Sequence, residues 1–241
     1  MSGTLNGKVA IVTGAGRGIG RVIAQTLAAD GACIVAAART GQEIESLAAE
    51  IVAGGGKAIA VKTDVTDEAS VDHLFKEIDE QLGRVDILVN NAGMGVFSHL
   101  VDCSPEDFGA VLDVNAKGTF LCSRAALKRM MPQESGYIIN IASVLGIRAY
   151  VNQGAYTAAK HAVMGLTKTL AIEAQPHGIR VSVILPGGVN TELIGKSRPD
   201  LNTDELLEPE DVAGAVSYLL SLSEKAAIDQ ICLRRRNSSP F

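Results

Sequence analysis

Seven short, nearly continuous apolar runs recur along the chain, and segments with the period of amphipathic helices fill the intervals. The runs are KVAIVTG (8–14), GACIVAAA (31–38), KAIAVKTD (57–64), DILVNNAG (86–93), GYIINIAS (136–143), IRVSVILPG (179–187) and, least regular, AIDQICLR (227–234). A strand with one wet face would alternate polar and apolar residues; runs without that alternation suit strands covered on both faces, as in a parallel sheet. Between them, residues 18–29 repeat Ile19, Ile23 and Leu27, residues 41–53 repeat Ile44, Leu47, Ala48 and Ile51, and residues 67–82 repeat Val71, Leu74, Phe75, Ile78 and Leu82. Those are helical spacings. Residues 105–131 predict a long helical region loosened near Gly109 and Gly118, and helices are also expected at 155–175 and 209–223. Pro105 and Pro209 suit first-turn positions, with Ser104 as an N-cap. Strand–helix alternation over the whole length predicts an α/β fold, a doubly wound parallel sheet of about seven strands flanked by helices. With no linker or shift in composition, residues 1–241 read as one domain. Residues 188–208 lack sheet character and read as a short lid over the carboxyl edge of the sheet.

The remaining bulk properties exclude other classes. A net charge of −5 argues against a nucleic-acid surface. No apolar run reaches the ~18 residues of a membrane span, and the N-terminus lacks the pattern of a secretion signal. Cys33, Cys103, Cys122 and Cys232 are scattered without metal-ligand spacing, so no metal is expected and the thiols read as reduced, in a cytoplasmic protein. Arg234–Arg236 read as a solvated tail or a subunit contact.

Chemistry enters at the end of the first run, which passes straight into TGAGRGIG (13–20). The spacing is G-x-x-x-G-x-G, on Gly14, Gly18 and Gly20, with Gly16 and Ile19 inside the loop. Glycines here permit a tight turn off the strand, close approach of a pyrophosphate to a helix N-terminus, and close helix–strand packing. In dinucleotide sites an acid at the end of the second strand binds the adenosine ribose. Here Ala38 takes that place, Arg39 follows, Arg17 stands in the loop, and the first acid, Glu43, is already on the next helix. Two guanidinium groups without a carboxylate favour a 2′-phosphate, which predicts NADP(H), with NAD(H) as the alternative should Arg39 point to solvent.

A second feature is the pair Tyr156 and Lys160 in GAYTAAKHAVMG (154–165). Residues four apart on a helix are neighbours. A cation beside a phenol stabilises the phenolate and lowers a pKa that is otherwise about 10. Such a tyrosine serves as a proton donor where hydride transfer to a carbonyl builds charge on oxygen. The plain alternative is an exposed helix with an ordinary Tyr/Lys pair.

Taken together, the glycine loop, NNAG (90–93), Ser143, YTAAK (156–160) and PGGVNT (186–191) resemble the short-chain dehydrogenase/reductase superfamily in its single-domain form, from Lys8 to about Leu222. The resemblance implies that Tyr156 is the general acid/base, that Lys160 supports it and bonds the nicotinamide ribose, that Ser143 holds the substrate carbonyl, and that Asn115 supports a water linked to Lys160. It further implies that Asn90, Asn91, Ala92 and Gly93 line the cofactor cleft, that Asp64 and Val65 lie against the adenine, and that Pro186, Gly187, Val189 and Thr191 flank the nicotinamide. Substrate contacts are expected from Ser143, Leu145, Gln153 and Tyr156, beside Tyr150 and the apolar residues Met94, Val96, Val144 and Leu193. His99 either reaches this pocket or stays at the surface; His161 should point away from it.

The chain departs from the family's usual glycine-containing last strand, ending instead AAIDQICLRRRNSSPF, with Ile231–Leu233 expected to remain a strand. The reading is an NADP(H)-dependent reductase of a ketone or aldehyde, similar to 3-oxoacyl-carrier-protein reductases, or the reverse reaction. A redox sensor on the same fold and an NAD-dependent dehydrogenase are the alternatives. Relatives commonly assemble through the helices corresponding to 105–131 and 155–175, which implies a homotetramer or dimer.

Overall fold

The structure is a computed structural model that describes residues 5–197 and 202–239. Seven strands form one sheet: β1 (Val9–Thr13), β2 (Cys33–Ala38), β3 (Lys57–Lys62), β4 (Ile87–Asn90), β5 (Gly136–Ile141), β6 (Ile179–Pro186) and β7 (Gln230–Leu233). Their spatial order is β3-β2-β1-β4-β5-β6-β7, and every neighbouring pair is parallel. The chain winds outward from β1 to β3, then returns to place β4 on the other side of β1. That reversal opens a crevice at the carboxyl ends of β1 and β4, where ligands bind in open α/β sheets.

Among the described residues eight α-helices accompany the sheet: α1 (Gly18–Ala29), α2 (Gly41–Ala53), α3 (Glu68–Gln81), α4 (Pro105–Leu112), α5 (Gly118–Gln133), α6 (Gly154–Ala174), α7 (Glu192–Ser197) and α8 (Pro209–Ser221). β1 shows why its apolar run does not alternate. Ala10 and Val12 pack into one core with Ile23 and Leu27 of α1, Ile44 and Leu47 of α2 and Val216 of α8. Val9 and Ile11 face the opposite core, with Leu74 and Phe75 of α3, Leu121 of α5 and Leu170 of α6. Both faces are dry, and each buried Leu or Ile side chain contributes about 1.5–3 kcal/mol. Helix starts follow the sequence signals: Ser104 Oγ accepts from the Asp107 amide (3.0 Å) ahead of Pro105, and Glu208 and Asp211 form a reciprocal capping box around Pro209.

Three expectations need adjusting. The helical region starting at Pro105 is continuous through Gly109, and its loosening is confined to a π-helical turn, Asp113–Lys117, between α4 and α5. Gly118 follows that turn because a methyl there would stand 2.7 Å from Val65 Cγ2. The lid segment does hold one sheet-like contact, a bridge between Val189 and Leu207, in addition to α7 and a 3₁₀ turn at Thr203–Glu205; its residues 198–201 lie outside the described residues, as do the ends of the expected 1–241 domain. β7 begins one residue before the expected Ile231 and pairs with β6. Among the described residues all four cysteines are free, and no helix is long and apolar enough to cross a membrane.

Candidate active site

A cleft of ≈ 1020 Å³ runs along the carboxyl ends of the strands, from Arg39 past the glycine loop to the tail beyond β7. At the glycine loop the backbone is held tightly. Gly14 has φ +64°, and its missing side chain leaves room for Ala92, whose Cα would be 2.9 Å from a methyl. The Asn91 side-chain amide donates to the Thr13 and Gly14 carbonyls (3.0 and 3.3 Å), while Thr13 Oγ1 accepts from the Asn91 and Ala92 amides (3.0 Å each). Gly20 is buried beneath this knot, where a methyl would overlap the Gly14 carbonyl and the Asn91 amide. It permits the close packing rather than lining the cleft. α1 starts from Arg17 in extended backbone with no side-chain cap, so its leading N–H groups are left for an anion.

The cations around this loop differ from expectation. Arg17 Nη1 is paired with Glu192 Oε2 of α7 at 2.5 Å, so the loop arginine is already shared with the lid. Both side chains are 67% exposed, and a bridge this wet is worth little. Arg39 lines the cleft without an ion-pair partner among the described residues. Asp64 also lines it; the Thr66 amide hydrogen bond, aided by the Thr66 hydroxyl, Arg39 and Lys117, holds its carboxyl below the usual range. A carboxylate is present after all. Glu43, one turn into α2, packs against Gly16 and lines the same cleft.

Tyr156, Ser143 and Lys160 converge further along the wall. Ser143 ends the extended stretch after β5; its Oγ accepts from the Leu145 amide (3.2 Å), lies 3.5 Å from the Pro186 carbonyl and hydrogen-bonds Tyr156. Lys160 is only 4% exposed. Its Nζ donates to the Ile141 carbonyl (3.0 Å) and stands 5.5 Å from the centre of the Tyr156 ring. Burial, rather than the neighbouring cation, dominates both groups here. Burial pushes the Tyr156 phenol up, with only the Ser143 hydrogen bond opposing it, and burial pushes the Lys160 ammonium down from 10.5 to about 8. The ammonium lies over the ring rather than beside the hydroxyl, and desolvation outweighs charge pairing.

Asn115 does not line the cleft. It sits in the π turn, behind Gly93, with Nδ2 donating to the Met94 and Val111 carbonyls (2.7 and 2.8 Å). Its Oδ1 is buried without a partner. A methyl on Gly93 would lie 3.0 Å from that oxygen and 3.7 Å from Lys160 Nζ, so glycine leaves both atoms access to one spot. Asn90 also turns away from the cleft: its Nδ2 donates to Ser123 Oγ and Asn140 Oδ1 (2.9 Å each) inside the core.

The other expected residues line the cleft: Gly14, Gly16, Gly18, Ile19, Val65, Asn91, Ala92, Gly93, Leu145, Gln153, Pro186, Gly187, Val189 and Thr191. Met94, Val144 and Leu193 join them, but Val96 packs against the Val111, Ala155 and Ala159 cluster instead. His99 lines a separate hollow beside Phe108 and Tyr150, and His161 faces that hollow too, with Nδ1 3.0 Å from the Thr157 carbonyl. The sequence pattern did not point to Phe97, whose ring meets Tyr156 edge-on at 6.0 Å, nor to Arg148, Lys196, Arg234 and Arg235. The tail is neither a free end nor placed by its own composition. β7 pairs Leu233 with Pro186, and the Gly187 amide donates to the Leu233 carbonyl (2.7 Å), which sets Arg234 and Arg235 on the cleft wall.

The family model described as short chain dehydrogenase matches residues 8–202. A 3-oxoacyl-[acyl-carrier-protein] reductase of Synechocystis sp. is 40% identical over 225 residues, covering 89% of this chain and 90% of that protein. An uncharacterized oxidoreductase of Staphylococcus aureus is 38% identical over 231 residues, 95% of this chain and 98% of its own. Among solved structures, an alcohol dehydrogenase from the archaeon Thermococcus sibiricus, complexed with 5-hydroxy-NADP, superposes with a TM-score of 0.90 at 33% identity, covering 97% of this chain and 99% of that one. A metagenomic short-chain oxidoreductase in complex with NADP superposes with a TM-score of 0.86 at 33% identity over 98% of this chain and 100% of its own.

Proposed function

The chain belongs to the short-chain dehydrogenase family, and from that premise we propose that it is an NADP(H)-dependent enzyme interconverting a ketone or aldehyde and the corresponding alcohol. The observation that carries this reading is the convergence of buried Ser143 and Lys160 with half-buried Tyr156 on one wall of a cleft that starts at an uncapped helix N-terminus. The donor set fits a dinucleotide. The leading amides of α1 are free for a pyrophosphate, Asn115 Oδ1 is buried without a partner, and Arg39 is free for an adenosine phosphate. The solved relatives that carry NADP and 5-hydroxy-NADP support the choice of cofactor.

The nicotinamide, when bound, supplies or accepts the hydride. The chain's residues manage the proton and the carbonyl. In reduction, Tyr156 donates its phenolic proton to the oxygen as charge builds there, and the Ser143 hydroxyl donates a hydrogen bond to the same oxygen. A phenol held above its ordinary pKa is fully protonated at neutral pH and ready as an acid. In the reverse direction Tyr156 must ionise, and Lys160 stabilises the phenolate. A water between Asn115 Oδ1 and Lys160 Nζ then returns the proton to solvent. Leu145, Gln153 and Phe97 shape the space beside the carbonyl. The 3-oxoacyl thioester is one candidate substrate, supported by the Synechocystis relative. We also assign the enzyme to the cytoplasm and to a homotetramer or dimer built on α4, α5 and α6.

Glu43 on the cleft wall favours a second reading, in which NAD(H) serves as well. One set of assays tests both. Oxidation of NADPH and NADH is followed with small ketones, β-ketoesters and acyl thioesters, for the wild type and for Tyr156→Phe. A kcat/KM higher with NADPH, and a fall of about 10²–10⁴-fold on removing the hydroxyl with NADPH affinity retained, are expected. Undiminished turnover in Tyr156→Phe overturns the mechanism. Higher kcat/KM with NADH overturns the cofactor assignment.

A further inference from the structure

Most of the described arginines that are not fully exposed to water have a partner. Arg17, Arg21, Arg84, Arg124 and Arg129 each meet a carboxylate, and Arg180 stacks on Tyr137 at 4.4 Å while donating towards the Ser223 and Ala226 carbonyls. Arg39 and Arg236 have no such partner but are exposed to water; Arg148 and Arg235 have none and are not. Both are half-buried, both line the cleft, and neither has an acid or a hydrogen-bond acceptor among the described residues. Partial burial of a guanidinium without a partner is unfavourable. Their surroundings add to the imbalance. Lys196 of α7 and Arg234 line the same cleft, and the Arg234 guanidinium donates to the carbonyls of its own turn, Arg235, Arg236 and Ser238. Among the described residues three acids line the cleft. Glu43 and Asp64 are at the glycine-loop end, and Glu192 is taken by Arg17. A cleft lined by one sign of charge between low-dielectric walls concentrates the opposite ion.

We propose that Arg148 and Arg235 form an anion-recognition site at the substrate end of the cleft, so that the carbonyl compound this enzyme reduces carries a carboxylate or phosphate away from its reacting carbon. The proposal rests on the carbonyl-reductase reading above. Arginine suits the task because its planar fork matches both anions in a bidentate way. The two residues reach the site from different parts of the fold. Arg148 follows the turn after Ser143, and Arg235 follows β7, so the apolar residues around the carbonyl, Leu145, Val144 and Leu193, are bordered by charge.

The test compares methyl-ketone acids of increasing chain length with their methyl esters, and hydroxyacetone phosphate with hydroxyacetone. The full chain is assayed with NADPH as wild type, as Arg148→Gln/Arg235→Gln and as Arg148→Lys/Arg235→Lys. The wild type is expected to prefer the charged member of at least one pair in kcat/KM. That preference should fall by about tenfold or more in the glutamine variant, as hydrogen bonds to charged groups allow, and survive in part in the lysine variant. Which pair shows it distinguishes carboxylate from phosphate. Equal kcat/KM for charged and neutral members in the wild type, or a preference unchanged in the glutamine variant, overturns the proposal. A loss that matches a weaker Kd for NADPH overturns it too and gives the cations to the cofactor. Should no ketone turn over, the reductase reading fails. Calorimetric titration of the acids and esters into the NADPH-loaded protein then decides the charge question: tighter acid binding that vanishes in the glutamine variant upholds the site, and equal binding removes it.

Discussion

The two ends of the cleft are built on different principles. At the glycine loop, position is fixed by backbone. Gly14 adopts positive φ, Asn91 and Thr13 stitch β1 to the segment after β4 through four hydrogen bonds, and Gly20 leaves no space for a methyl. At the opposite end, position is set by segments that reach the cleft from elsewhere: the turn after β5, α7, and the chain after β7. Their charged side chains are half-buried or exposed, and the ion pair that joins them to the loop among the described residues, Arg17–Glu192, is exposed. A backbone-built end holds a ligand that does not vary; a side-chain-built end can change its ligand by a few substitutions. Under the proposed function, this division lets one scaffold keep a cofactor and exchange substrates.

Gly20→Ala would break the rigid end, and its effect should be the largest. The added methyl meets a backbone carbonyl and a side chain already holding two bonds, so nothing yields cheaply. Overpacking of this kind destabilises by about 3 kcal/mol, which lowers Tm by about 6–12 °C in a protein of this size. NADPH affinity should drop with it, because the loop and the α1 N-terminus shift together. Calorimetry and a fluorescence titration read the two effects. A variant with unchanged Tm would show the knot to be softer than its contacts.

Between the two ends, Lys160 is kept charged at a cost. Its pKa is lowered from 10.5 to about 8 by burial, and for a buried group this corresponds to about 3 kcal/mol of instability while the ammonium stays charged. The sign follows from proton counts. Between about pH 8 and 10.5 the unfolded chain binds the proton and the folded one does not, so stability rises with pH there. Below pH 8 both states are protonated and the full penalty applies. Lys160→Met removes the penalty and also the bond to the Ile141 carbonyl. At pH 7 it should be more stable by about 1–2 kcal/mol, a Tm higher by a few degrees, and inactive. That advantage should shrink as pH passes 8, as Tm measured from pH 7 to 9.5 would show. A difference that stays constant over the range would mean that Lys160 is not the buried, depressed ammonium described here.

How much of this was legible in the sequence follows the same division. The seven strands, their cover on both faces and the glycine loop are legible in local patterns, because the spacing of Gly14, Gly18 and Gly20 and the unbroken apolar runs act within one βα unit. The Tyr156/Lys160 spacing placed both side chains on one wall. It did not reveal that the ammonium lies over the ring, nor that burial dominates both groups, because desolvation depends on what packs around them. Asn115 was legible as a residue type, but its aim comes from a π turn that no periodicity announces. Glu43 was passed over because it lies on the next helix, and only the approach of α2 to Gly16 brings it to the cleft. Arg235 read as tail because its place depends on the register of β7 on β6, a long-range pairing.

Gly195→Ala is the smallest and most discriminating change, at the pliable end. Gly195 lies inside α7, has no positive φ, and a methyl there meets nothing within 4 Å. Alanine should therefore stabilise the helix by up to about 1 kcal/mol. Where that gain appears depends on whether α7 unfolds with the core. Its described anchors are an exposed ion pair, the single Val189–Leu207 bridge at its base and the long, exposed bonds from the Asn190 amide to the Glu208 carboxylate, and elements held so lightly open on their own, below the global unfolding free energy. The gain should then slow amide exchange within 192–197 about fivefold and leave Tm unchanged within about 1 °C. A Tm rise of a few degrees with unchanged local exchange would join α7 to the core's cooperative unit. The two ends of the cleft would then be equally rigid, and the contrast drawn between them would reduce to their chemistry.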